Sequence, residues 1–222
     1  MNFKTIVKSV VKPFVDTYHS WLHRNPVEVA YKEVRVNVVP GVFSPKAYSS
    51  TTIFLDYLVE LPLSGKTVLE LGCGSGLISG YCASQGAIVT ASDINDAALT
   101  ELSAQARDNN WDIIPVYSNL FENLHFHFDY IFINPPYKPL ASVTEEEMNV
   151  NAGVNFEYFD ELFNQLKVRT LRDTKVLLFL PEEAELFSIC RRSKQHHLKL
   201  KTQKVMHKGM NTGTVYRVEA EN

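Results

Sequence analysis

The segment FDYIFINPPYKP, Phe128 to Pro139, sets an amide, two prolines and a phenol at the end of an apolar run. Asn134 and Pro135 each precede a proline, which biases both away from helical backbone, and neither Pro135 nor Pro136 carries an N–H. The chain there should be stiff and extended, with exposed backbone groups that are mostly carbonyls. Together with the Asn134 side-chain oxygen they form a cluster of hydrogen-bond acceptors, which suits a planar, donor-rich –NH2 group. Tyr137 supplies a flat face beside it. An amide or aryl amine is a poor nucleophile because its lone pair is delocalised. Acceptors that hold its hydrogens favour a pyramidal nitrogen and stabilise positive charge as a new C–N bond forms. The candidate catalytic group is therefore Asn134, Pro135, Pro136 and Tyr137. A structural turn with an asparagine cap is the alternative that this tetrapeptide alone leaves open.

A second stretch, VLELGCGSGLIS (Val68 to Ser79), has the form of a strand, a glycine-rich loop and a helix start. Gly72, Gly74 and Gly76 permit positive φ and let a ligand approach backbone that a Cβ would block. The following helix start offers free N–H groups. Asp93 in VTASDIN lies 21 residues after Gly72, where a carboxylate can accept hydrogen bonds from both ribose hydroxyls of a nucleotide-like cofactor. The spacing is G-x-G-x-G, with Leu77 where the third glycine of a pyrophosphate-binding loop would fall. Glu70 just before the loop would repel a pyrophosphate and attract a cationic ammonium. Both features favour S-adenosylmethionine over a nicotinamide dinucleotide. Cys73 reads as a small packing residue in the same loop, since no neighbouring base would activate its thiol.

These loops need strands to carry them. Strands are predicted at Thr67–Leu71, Ala87–Ala91, Ile113–Tyr117, Phe128–Asn134 and Lys175–Leu180. Helices are predicted at Leu77–Ser84, Asp96–Asp108, Asn155–Val168 and Pro181–Arg192. Short apolar strands alternating with helices imply an α/β, doubly wound, mostly parallel sheet covered on both faces. Leu198–Val205 and Thr214–Glu219 alternate like an antiparallel pair. Upstream, one strand is predicted over Lys32–Val39 and a helix over Ser49–Leu61, with Ser and Thr at its start. The apolar stripe from Phe3 to Leu22 reads as a helix, divided at Pro13, that docks on the protein's own core; a membrane-surface role is the alternative. Residues 1–45 form a helix-and-strand extension to a domain over residues 46–222.

The segments LELGCGSG, ASDIN and NPPY, in this order, resemble the class I S-adenosylmethionine-dependent methyltransferases. More narrowly, they are similar to the small-methyltransferase group with the HemK-type glutamine enzymes and several RNA guanine and adenine enzymes. The resemblance covers Pro40 to Leu180. It implies a seven-stranded Rossmann-like sheet whose last strand is antiparallel. It also implies that Gly72, Cys73, Gly74 and Gly76 line the cofactor loop, that Asp93 holds the ribose with Ile94 beside it, and that Asn134 to Tyr137 hold the amine. Glu70 and Asn134 belong to the candidate cofactor wall as well. In such enzymes an acid after the third strand often contacts adenine; here SNLF sets Asn119, followed by Leu120, in that place.

Tyr137 resembles the glutamine and adenine methylators and the segment NAGVNFEYFDELF (Asn151–Phe163) the HemK-type enzymes, whereas VPGVFSP (Val39–Pro45) resembles the RNA guanine enzymes. Charge weighs on the choice. Pro139–Leu166 has no Lys or Arg but six acidic residues, among them Glu145, Glu157 and Asp160, and should repel a phosphate backbone. Leu186–Val218 has eight Lys or Arg and no acid, and could hold RNA from one side. A macromolecular acceptor is expected, a protein glutamine ahead of an RNA base. A non-catalytic S-adenosylmethionine-binding module is the reading of another class, and the intact NPPY argues against it. The net charge is −3, and the three cysteines form no C-x-x-C pair, as in a reducing cytoplasm. No metal site is expected: His125 and His127 read as a surface turn, and His196 and His197 as solvated residues. No apolar run reaches membrane-spanning length, and Lys4, Lys8 and Lys12 interrupt the N-terminal one.

Overall fold

The computed structural model describes residues 17, 21–22, 24–124, 127–169 and 173–221. The predicted N-terminal stripe, apart from its end, and His125 lie outside this set; Leu22, at that end, is buried in the apolar core. The chain begins with an antiparallel hairpin, β1 (Val27–Tyr31) and β2 (Val34–Val38), and helix α1 (Ser50–Leu58). The alternating unit follows: β3 (Thr67–Leu71), α2 (Leu77–Ser84), β4 (Ile88–Asp93), α3 (Asp96–Asp108), β5 (Ile113–Tyr117) and β6 (Tyr130–Ile133). It is completed by α4 (Glu145–Met148), α5 (Glu157–Arg169), β7 (Lys175–Pro181), α6 (Leu186–Gln195), β8 (Leu198–Lys208) and β9 (Asn211–Ala220).

The main sheet has seven strands in the order β5-β4-β3-β6-β7-β9-β8. Strands β3 to β7 pair in parallel, and β9 enters antiparallel to β7, as the resemblance implied. Central strands are buried on both faces, which explains why β3, β6 and β7 read as continuous apolar runs rather than alternating ones. One face carries α1, α2 and the hairpin, with Phe54 stacked on Phe179 at 5.6 Å between ring centroids. The other buries the apolar side of α5, Phe159, Leu162, Phe163 and Leu166, against Ile131 and Ile133. Among the described residues no helix is long and apolar enough to cross a membrane.

The order of the strands decides where a ligand can sit. The chain runs outward through β3, β4 and β5, then returns to place β6 on the other side of β3. This reversal opens a crevice beyond the carboxyl ends of β3 and β6. Register makes the alignment specific. Leu71 pairs with both Ser92 and Ile133, so Asp93, Gly72 and Asn134 leave the sheet side by side.

Two local differences from the sequence expectation have clear causes. A single strand was expected near Lys32–Val39, but VEVAY alternates equally well and pairs with β2. The turn between them uses Lys32 at φ +51° rather than glycine, so it carries no Asn-Gly or Asp-Gly signal. Helix α6 starts at Leu186 rather than Pro181 because Pro181 still pairs with Gly213 in the sheet, and the Glu182 N–H donates to Thr212 O.

The hairpin is pinned to α3 by one buried side chain. Gln105 accepts from the Asn37 N–H at 2.8 Å and donates to the Asn37 carbonyl at 3.1 Å. One amide thus serves both backbone groups of a strand residue that no sheet partner reaches on that side. Replacing Gln105 with Leu keeps the bulk but leaves both groups unpaired, and should lower stability by about 1–3 kcal/mol. Urea unfolding checks this: the midpoint should fall at unchanged slope.

Candidate functional site

A cavity of about 980 Å³ lies at this crevice. Its wall contains Glu70, Gly72, Cys73, Gly74, Asp93, Ile94, Asn119, Leu120 and the whole Asn134–Tyr137 segment. Gly76 is brought to the same loop but stands outside the wall. It caps α2 at φ +71°, and a Cβ there would come within 2.6 Å of Leu102 Cδ1, so its role is to close the helix against α3. Leu120 lines the cavity at φ +50°, a left-handed backbone that favours glycine.

Two acidic side chains brace the glycine loop and the helix start that follows it. Asp93 Oδ2 accepts from the Gly74 N–H at 2.8 Å and Oδ1 from the Asn95 N–H at 3.0 Å. Burial raises the Asp93 pKa above the usual carboxylate value, and these backbone donors oppose the rise. A carboxylate has about four lone-pair positions, so capacity for two ligand hydroxyls remains. Glu70 is buried, and its Oε2 accepts from both the Ser79 N–H at 2.8 Å and the Ser79 hydroxyl. Burial pushes the Glu70 pKa up to about 8, against the pull of the Ser79 bonds and with a smaller push from Asp93. Glu70 therefore ties β3 to the first turn of α2 as well as facing the cavity. Cys73 and Cys82 are buried, and desolvation holds both thiols well above their ordinary pKa, so neither is an activated nucleophile.

Asn134 is fixed from across the cavity. Its Nδ2 donates to Ser50 Oγ at 3.3 Å and Thr51 Oγ1 at 3.2 Å. Among the described residues no protein group donates to its Oδ1. The hydroxyls come from the SSTT run at the start of α1, which the sequence suggests is a cap. Ser49 occupies the N-cap position without a side-chain cap bond, and Thr52 donates back to Ser49 O at 3.0 Å. A missing cap typically costs about 1 kcal/mol. Tyr137 follows in a segment zipped to its own return, its N–H donating to Val150 O at 3.1 Å. Burial, then Glu183 and Tyr48, push the Tyr137 pKa to about 12, so its phenol is neutral at working pH.

Sequence reasoning missed Phe43, Tyr48, Ser50, Thr51 and Tyr158, all on the cavity wall. Phe43 and Tyr48 stack at 5.1 Å and 14°, and the Lys138 ammonium lies 5.7 Å from the Tyr48 ring centre. Asn149 donates to Gly41 O at 3.5 Å, joining the segment before α1 to the loop after β6. The turn-rich PGVFSP, the SSTT helix start and the segment NAGVNFEYFDELF were the sequence signals near this wall.

Among the described residues the cavity lining includes the acids Glu70, Asp93, Asp96 and Glu157 and neither Lys nor Arg. The basic C-terminal run is largely engaged elsewhere. Arg192 pairs with Asp160, Lys204 with Glu60, Lys208 with Asp56, and Lys199 and Arg217 with Glu219. Among the described residues no cluster of three or more His, Cys, Asp or Glu could hold a metal ion.

Residues 33–151 match the family model described as the methyltransferase small domain. A putative protein N5-glutamine methyltransferase of Methanocaldococcus jannaschii is 36% identical over 126 residues, 56% of this chain and 60% of that protein. A ribosomal RNA small subunit methyltransferase C of Buchnera aphidicola is 32% identical over 158 residues, 69% of this chain and 43% of that protein. The match thus spans less than two thirds of either relative. A T. thermophilus 16S rRNA methyltransferase, solved with AdoMet and guanosine, superposes with a TM-score of 0.60 at 16% identity, covering 86% of this chain and 50% of that one.

The raised Glu70 pKa gives a signed expectation. Between its ordinary value of 4.5 and about 8, the unfolded chain releases a proton that the folded chain keeps. The residue's contribution to stability therefore falls as pH rises through that window and levels off above it. Glu70→Gln keeps an acceptor for Ser79 and cannot ionise. Calorimetry should show a flatter Tm from pH 5 to 8 in the variant, and at pH 8 a Tm above wild type by on the order of 5 °C.

Proposed function

Because the chain belongs to the methyltransferase small domain family, we propose that it transfers a methyl group from S-adenosylmethionine to a planar amide or amino nitrogen, and that the acceptor is a glutamine side chain of a protein. One observation carries this reading. The Asn134 carbonyl, to which no group among the described residues donates, stands at the end of β6 directly beside the glycine loop of β3, in a cavity whose described lining carries acids and no Lys or Arg.

The donor fits that lining. It is a sulfonium with an ammonium group; Asp93 would supply compensating charge, and a bound ammonium would draw off the proton that burial holds on Glu70, whereas a pyrophosphate would meet these acids at a cost. Asp93 would hold the ribose hydroxyls, the Gly72–Gly74 backbone the methionine portion, and Asn119 and Leu120 the adenine edge. When bound, the donor supplies an electrophilic methyl group. The chain's own residues align the acceptor. Asn134 Oδ1 and the neighbouring prolyl carbonyls take the hydrogens of the –NH2 group, and the Tyr137 ring limits its tilt. The Phe43–Tyr48 wall keeps water from the reacting nitrogen.

Glutamine in a protein is preferred to an RNA base for two reasons. The M. jannaschii relative carries that name, and the carboxylate-lined mouth disfavours phosphates while most of the basic run is already paired. The rRNA methyltransferase relatives favour an RNA base as the second reading. We place the reaction in the cytoplasm, in keeping with Cys73, Cys82 and Cys190 as free thiols.

Asn134→Ala should leave cofactor affinity within about twofold and lower turnover by about 10²–10³-fold. Asp93→Ala should weaken cofactor binding by more than about tenfold, the scale of a lost charge-assisted hydrogen-bond pair. Calorimetry and transfer of a labelled methyl group separate the two. Incubating the protein with labelled S-adenosylmethionine and a cell extract identifies the acceptor class. Label lost to protease supports a protein glutamine, and label lost to ribonuclease moves the assignment to RNA.

A further inference from the structure

An asparagine can accept a hydrogen bond from an incoming amine only if its oxygen faces that amine. Its own side chain does not make that choice, because rotation about χ2 exchanges two nearly isosteric ends. We infer that Ser50 and Thr51, at the start of α1, are positioning residues that hold the Asn134 amide with Nδ2 turned away and Oδ1 presented to the acceptor nitrogen. The inference rests on the proposed role of Asn134.

Each hydroxyl can donate as well as accept, so the pair fixes the plane of the amide; here both oxygens accept from Nδ2, the arrangement that an incoming –NH2 favours. Nδ2 has two N–H groups, and the two hydroxyl oxygens lie 3.3 and 3.2 Å from it. In the opposite rotamer the –NH2 of Asn134 would oppose the –NH2 of the acceptor, donor against donor. Donation from Nδ2 also polarises the amide, which strengthens Oδ1 as an acceptor. Thr51 is only 5% exposed, and both hydroxyls reach Asn134 across more than eighty residues of sequence.

The element that carries them is rigid. Phe54, one turn after Ser50, packs edge-on against Phe132 at 6.0 Å between centroids, and Phe132 lies two residues before Asn134 on β6. Helix start and strand end are therefore locked together just below the amide, as an oriented catalytic group requires. The absence of a side-chain cap at Ser49 fits the same picture. Two hydroxyls of this helix start, those of Ser50 and Thr51, are directed at the site, while Thr52 bonds back to the helix.

The test uses the full chain with Thr51→Val, Thr51→Ser, and the pair Ser50→Ala with Thr51→Val. Side-chain amide proton exchange of Asn134, read by nitrogen-edited NMR, needs no acceptor. It should speed up at least about tenfold in the double variant and return to wild type in Thr51→Ser. With labelled S-adenosylmethionine and cell extract, maximal transfer should fall about tenfold in Thr51→Val and about a hundredfold in the double variant. The cofactor KM should stay within about twofold, and Thr51→Ser should restore the rate. A merely structural role would lower Tm without this pattern. If valine fails to fold, Ser50→Ala alone, which removes one of the two acceptors and leaves Thr51 in place, should speed exchange and slow transfer. Unchanged exchange, or full transfer by the double variant while Asn134→Ala is inactive, overturns the positioning role alone. Full transfer by Asn134→Ala overturns the reading beneath it.

Discussion

Two acidic side chains, the buried Glu70 and the half-buried Asp93, organise this molecule's ligand-facing edge. A carboxylate removed from water must be matched by donors, and here both draw them from the loop and helix start between β3 and α2. Asp93 takes the Gly74 N–H and Glu70 the Ser79 N–H and hydroxyl. Further support comes from the Gly72 and Cys73 N–H groups, which both donate to Ser92 O. Satisfying these groups fixes the path of the glycine loop, and the loop's path creates the cavity.

The parallel sheet supplies the second requirement, proximity. Because Leu71 is in register with both Ser92 and Ile133, three chemically different strand ends open in one row: a carboxylate, a glycine backbone and an amide. None of these groups moves freely, since each follows directly on a strand buried on both faces or is tied to one. The proposed methyl transfer to a weak nucleophile would call for alignment more than for acid–base chemistry, and a row of rigid strand ends would provide it. The segments around Phe43 and Asn149 complete the wall from outside the sheet, joined where Asn149 meets Gly41 O.

Charge shows how sequence proximity and spatial proximity part company. The run from Leu186 to Val218 has eight cations in the chain, yet Lys204 and Lys208 on β8 meet Glu60 and Asp56 from the α1 segment. Exposed pairs of this kind add little stability. Their consequence is electrostatic: they reduce the free positive surface that a phosphate backbone would need. The acids of the cavity remain uncompensated within its lining.

Local chain chemistry alone specified the alternating α/β pattern, the glycine loop, Asp93 and the Asn134–Tyr137 corner. Each depends on features written in a few consecutive residues: proline without an N–H, glycine at positive φ, apolar runs buried on both faces. The first hairpin strand escaped notice because its turn used Lys32 in a conformation usually signalled by Asn or Gly. The separation of Gly76 from the cavity wall depended on where Leu102 of α3 packs, and that is not a local property. Likewise, SSTT has the composition of a helix cap, and only the folded arrangement turns two of its hydroxyls onto an amide more than eighty residues away. Sequence thus determined which groups could do chemistry; tertiary structure decided which way they face, because orientation is set by contacts between segments that the chain order keeps far apart.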